Sequence, residues 1–177
     1  MSKNQTGVPK INLISIVAAA LAIASVFLPW WGIDVSGSGL SVSSHWTLWN
    51  APPTDGFRGS SGQYSTLVAW SPVIGALVIV SALMALIGSF ISNNRPLIGG
   101  FILSVLTPIA YLGLVSYSVT NACGGQANCL NGPFGSETVF SFTLTWGFQI
   151  GFYLYVISGA LTLIALGFHR TFHKTAG

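Results

Sequence analysis

The stretch LVAWSPVIGALVIVSALMALIGSFISNNRPLIGGFILSVLTPIAYLGLVSYSV, residues 67–119, decides the fold. Its one charged residue, Arg95, sits in a short polar turn between two apolar runs, Leu67–Ile91 and Pro96–Val119. A bilayer core of about 30 Å takes roughly 20 mostly apolar residues in a helix, and each run meets that length. Two further runs do the same without Asp, Glu, Lys, Arg or His: Ile11–Trp31 and Phe148–Phe168. The pattern predicts an all-α membrane protein, a bundle of four transmembrane helices in a single domain over residues 1–177. Lys3 and Lys10 before the first run, with Ala22-Ile23-Ala24 inside it, imitate a signal peptide. The run is nonetheless expected to remain as a transmembrane helix.

Composition points the same way. Only 5% of the residues are charged and 51% are hydrophobic, whereas a water-soluble domain carries roughly 25% charged residues. The net charge of +3 comes from six Lys and Arg against three Asp and Glu. That is too few cations to cover a phosphate backbone, so no nucleic-acid partner is expected. Their distribution sets the topology through the positive-inside rule. Lys3 and Lys10 precede the first run, Arg95 separates the second and third, and Arg170 and Lys174 follow the fourth. Arg58 alone falls in the other loops, together with Asp34, Asp55 and Glu137. Both termini are therefore expected in the cytoplasm of a plasma-membrane protein, with loops 32–66 and 120–147 outside.

The two loops carry strand patterns. In the first, Leu40, Val42, Ser44, Trp46 and Leu48 alternate with Ser41, Ser43, His45 and Thr47, a period of two that marks a strand with one covered face. Ile33-Asp34-Val35 and the following Ser36-Gly37-Ser38-Gly39 read as a short strand and a hairpin turn. In the second, Phe140, Phe142, Leu144 and Trp146 alternate with Ser141, Thr143 and Thr145 and run into the last helix. The loops are expected to pair into one small extracellular antiparallel β-sheet, the aromatic face of the second covered by Leu40, Val42, Trp46 and Leu48 or by a partner. Trp30, Trp31, Trp46, Trp49, Trp70 and Trp146, all the tryptophans, sort to this side. They read as an interfacial belt plus the sheet's core, with a stacking platform for a sugar or other ligand as the sharper alternative. Cys123 and Cys129 are the only cysteines, and their Gly/Asn-rich segment holds no His, Asp or Glu to complete a metal site. A disulfide is expected, with free or redox-active thiols as the alternative.

Catalytic chemistry is hard to find. No Ser–His–Asp set, CxxC motif, Gly-rich phosphate loop or carboxylate pair stands out, so neither an enzyme nor a cofactor is expected. The spans lack the ionisable groups that mark proton relays and ion paths. His45 falls on the polar phase of its strand, where exposure is the default. His169 and His173 share a helix face if the last helix continues, a spacing that can hold a metal. Interleaved with Arg170 and Lys174 at the membrane edge, they read first as anchoring groups. Small-xxx-small patterns recur as Gly147/Gly151, Ser71/Gly75 and Gly100/Ser104, which let helix backbones approach closely in lipid, within the bundle or between copies.

The order of tail, span, long stranded loop, two spans joined tightly, stranded loop, span and basic tail resembles the claudin and peripheral-myelin-protein-22-like tetraspan superfamily. Pro29-Trp30 and the later Thr47-Leu48-Trp49 are similar to that family's Trp…Gly-Leu-Trp signature. Thr47 replaces the family's Gly, and its paired first-loop cysteines are missing. The resemblance implies that Trp30, Leu48 and Trp49 stabilise the external sheet, and it implies adhesion, lateral assembly or service as an auxiliary subunit. The expected function is accordingly a non-catalytic assembly protein whose partners are the bilayer and either itself or other membrane proteins. One rival is a small transporter or channel for a neutral or lipidic solute, contacted by Gln149, Tyr111 and Tyr153. The other is a membrane enzyme subunit with metal or haem on His169 and His173.

Overall fold

The computed structural model describes residues 11–50, 64–122, 130 and 132–173. Within them the order is α1 (Leu13–Val26), β1 (Trp31–Gly37), β2 (Leu40–Trp46), α2 (Ser65–Phe90), α3 (Arg95–Ala122), β3 (Gly135–Val139), β4 (Phe142–Phe148) and α4 (Ile150–His173). Three helices, α2, α3 and α4, are long and apolar enough to cross a membrane. The helices pack as a ring in which α1 and α3 each lie against both α2 and α4.

The first run departs from expectation. It does not form one helix over 11–31: α1 has 14 residues, which at 1.5 Å per residue is about 21 Å. Asn12 starts it by accepting the Ser15 backbone N–H on its side chain, an N-cap arrangement. Pro29 ends it, because the proline ring pushes the preceding residue out of the α region. The N–H groups of Phe27 and Leu28 turn back to the carbonyls of Ala24 and Ser25, and Trp31 already belongs to β1. Likewise Phe148 is a strand residue, so α4 begins at Ile150.

The two loops do share one antiparallel sheet, with strand order β2-β1-β4-β3. The hairpin turn is Ser38-Gly39, both at positive φ (50° and 79°), as a two-residue type I′ turn requires. Two details differ from the sequence reading. The aromatic strand β4 pairs with β1, Trp146 opposite Ile33 and Leu144 opposite Val35, so Leu40 and Val42 lie a strand away from it, with β1 between. The segment Gly135–Val139, which shows no apolar alternation, forms the edge strand β3.

At the end away from the sheet the helices meet through small residues. A Cβ on Gly100 would fall 3.1 Å from the Ser81 carbonyl oxygen, and one on Gly88 would fall 2.5 Å from Leu97 Cγ. Ser81 Oγ donates to the Gly100 carbonyl (2.9 Å) and Asn12 Nδ2 to the Ala165 carbonyl (3.0 Å). Ser15 Oγ reaches the Ala85 carbonyl. Such buried hydroxyl and amide bonds serve helices whose surroundings offer no water.

Candidate functional site

Where α1, the sheet and α4 meet, the extended Pro29–Trp31 segment is held on three sides. The Trp30 N–H donates to the Trp46 carbonyl (2.8 Å), the Gln149 N–H to the Trp30 carbonyl (3.0 Å) and the Gly151 N–H to the Pro29 carbonyl (2.8 Å). Trp30 itself is fully buried. Its indole N–H donates to the Ser25 carbonyl (2.8 Å), and its ring lies 5.0 Å from Tyr111, 5.5 Å from Tyr155 and 5.8 Å from Phe152. Trp30 thus fills the helix interior, not the sheet.

A second aromatic group lies beside it. Trp31, Trp46 and Tyr64 stand 5.0 to 5.6 Å apart, centroid to centroid. Trp31 donates its indole N–H to the Pro133 carbonyl (2.7 Å) and Trp146 to the Gly132 carbonyl (3.0 Å), tying the segment before β3 onto the sheet. Burial raises the phenol pKa of Tyr64 above its usual value. Tyr64 is a contributor that sequence reading missed; its position just before α2, level with the tryptophans, was the available signal.

The pairing registers sort every strand residue to a face. Trp31, Ile33 and Val35, Trp46, Ser44, Val42 and Leu40, and Phe148, Trp146, Leu144 and Phe142 share the apolar one. Asp34, His45, Thr143 and Thr145 share the other. Burial then falls along the strands. Trp31, Ile33, Trp46 and Trp146 at the helix end are buried, whereas Leu40 (66% exposed), Val42, Phe142 and Val139 near the hairpin tips are not. Phe140 is no strand residue: it occupies the β3–β4 turn at φ 55° and is 97% exposed. On the polar face His45 Nε2 meets Asp34 Oδ1 at 3.0 Å, so His45 is half-buried and partnered rather than simply exposed.

Other expected positions fall in different settings. Leu48 is fully buried and Trp49 is 43% exposed. Thr47 Oγ1 accepts the N–H groups of Trp49 (3.2 Å) and Asn50 (2.9 Å) and closes this corner. The Trp49 ring rests on Gly75, where a Cβ would come within 3.0 Å, and Ser71 Oγ bonds to the Leu67 carbonyl of its own helix. Ser71/Gly75 therefore seats a loop rather than another helix. Gly147 lies in β4 and Gly151 in α4, so these two form no helical ridge. Gly151 instead lies against the Pro29 and Leu28 carbonyls and the Trp30 ring. Gly100 meets α2 and Ser104 lies against Gly159 of α4.

His169 corrects an expectation: it is buried rather than a surface anchor, and its Nε2 donates to the Ser92 carbonyl (3.1 Å), joining α4 to the turn between α2 and α3. The side chains of Arg170 and His173, and all of Lys174, lie outside the described residues, as do Cys123 and Cys129. Among the described residues no three His, Cys, Asp or Glu gather as for a metal ion. Tyr111 is sealed in the interior, Tyr153 is exposed, and Gln149 lies beside Gly32. The three polar contacts of the transport reading thus sit in three different environments.

No protein-family model matches the chain, and no curated protein matches its sequence. Fold and site together define a helical protein with three membrane-competent helices and an aromatic-cored sheet at one end.

Proposed function

We propose that this is a non-catalytic plasma-membrane protein with four spans and cytoplasmic termini, and that the tip of its external sheet binds a second copy or another membrane protein. Phe140 carries the reading. A left-handed backbone costs a residue with a side chain about 1–2 kcal/mol, and a phenyl ring at 97% exposure gains nothing from burial in this chain. The two-residue β3–β4 turn between Val139 and Phe142 requires that positive φ, but Gly would meet it without the cost, and a choice that local stability does not explain points to function. Leu40, Phe142 and Val139 extend Phe140 into an apolar strip. The claudin-like order of elements favours the same kind of role.

The fourth span is supported by α1 together with the extended segment after it. Extended residues rise about 3.3 Å each, so Pro29–Trp31 adds about 10 Å to α1. Non-helical backbone at membrane depth needs internal partners, and the Pro29 and Trp30 backbone groups have them. The test is native mass spectrometry of Phe140→Gly in mild detergent. The variant is expected to stay folded and lose its oligomer or complex; an unchanged complex would end the proposal.

A further inference from the structure

We propose that a groove between the sheet-end halves of α2 and α3 holds one acyl chain of a bilayer phospholipid. The inference rests on the membrane reading and is independent of the assembly surface. The groove measures about 370 Å³. It is lined by Trp70, Val73 and Ile74 of α2 and by Ala110 and Leu114 of α3, with Thr66 and Tyr117 nearest the sheet.

The sequence explains why the helices part here. At the opposite end Gly88, Gly99 and Gly100 bring the two backbones within contact of Leu97, Met84 and Ser81. In the sheet-end half the facing residues are larger, and each helix carries one internal proline, Pro72 and Pro108. A proline removes an i→i−4 hydrogen bond and lets the axis bend. Leu48 and Trp49, resting on Gly75, add bulk at the same level. The pair is joined through small residues at one end and lines a groove at the other.

The occupant follows from place, size and chemistry. Both walls belong to membrane-competent helices, so the filler comes from the bilayer. A helix about 10 Å across with its side chains is too thick. The volume lies near the bottom of the roughly 300–1,000 Å³ range of small-molecule sites, which suits one slender hydrocarbon chain. One turn below Ala110 on the same face of α3, Leu106 presents a further exposed apolar side chain. Trp70 and Tyr117 stand where amphipathic rings meet lipid headgroups, and none of the lining residues is charged. That favours a zwitterionic lipid such as phosphatidylcholine.

The experiment reconstitutes the full chain in phosphatidylcholine vesicles containing a small fraction of phosphatidylcholine with a photoactivatable acyl chain, and maps labelled peptides after irradiation. Label should concentrate on the peptides carrying Trp70–Ile74 and Ala110–Tyr117. Ala110→Trp, which fills the groove, should lower it about five-fold, equivalent to about 1 kcal/mol at 1.4 kcal/mol per ten-fold. Leu114→Ala, which widens the groove, should raise it, so the test does not depend on one variant folding. Phe140→Gly should label like the natural chain, which keeps failure here distinct from failure of the assembly reading. Label spread evenly onto exposed α4 positions such as Ile157, or indifferent to both groove variants, would overturn the proposal. So would cross-links between copies at Trp70 in place of lipid label.

Discussion

At the end where α2 turns into α3, glycines and serines bring the helices together; at the sheet end, aromatic rings do so. The first arrangement puts backbone against backbone and bridges it with Ser81, Asn12 and His169. The second fills a wider space with Trp30, Tyr111, Phe152 and Tyr155, then adds the Trp31–Trp46–Tyr64 group under the sheet. The difference teaches how one bundle can be tight at one end and adaptable at the other. Small residues fix helix spacing because nothing remains between the backbones to rearrange, whereas the sheet-end halves of α2 and α3 leave a groove lined by Trp70 and Leu114.

The comparison breaks most sharply at Trp30. Trp30→Ala empties the aromatic end and should cost about 3–5 kcal/mol, read as a large fall in thermal midpoint in detergent. Trp49→Ala, at a partly exposed ring, should cost clearly less; equal losses would mean that the sheet end has no single centre. Gly151→Ala tests the joint of α1, the sheet and α4, because its Cβ would lie 2.7 Å from the Pro29 carbonyl oxygen and 2.6 Å from the Trp30 ring. Such overpacking should cost about 1–3 kcal/mol in the same melt. At the small-residue end, Asn12→Ala removes a helix cap and the side-chain donor that Asn12 adds to the Ala165 carbonyl, a loss of about 1–2 kcal/mol. The same substitution should leave association unchanged in native mass spectra, since no residue of the sheet is touched.

The smallest expected effect is alkaline. Burial holds Tyr64 neutral and raises its folded-state pKa, so its contribution is fully present below the unfolded value of about 10. It is lost as pH rises beyond that value towards the folded one. Tyr64→Phe should therefore flatten the decline of stability between neutral and strongly alkaline pH, measured by thermal melts across that range. An unchanged slope would place the alkaline sensitivity elsewhere in the protein.

Much of this was legible in advance where a single physical term dominates. Charge-free runs of more than 20 residues have few fates other than membrane-competent helices, and α2, α3 and α4 follow them closely. Period-two alternation located β2 and β4, because a strand with one apolar face must alternate. The Asn12 cap carries its own signal, an Asn directly before an apolar run, but Ile11 ahead of it extends the charge-free stretch and masks the boundary. Phe140 misled because it continues the alternation of Phe142, Leu144 and Trp146 by type while standing in a turn.

The sequence by itself determined the apolar helices, the tight turn between α2 and α3, and the existence of a small sheet, since each follows from local hydrophobicity or local turn chemistry. Only the tertiary structure decided the rest. β1 between β2 and β4, Trp30 among the helices rather than in the sheet, Ser71 and Gly75 beneath Trp49, and His169 against Ser92 are contacts between distant parts of the chain. A residue's type fixes what it must bury or bond, but which partner meets that need depends on how the helices and strands pack together.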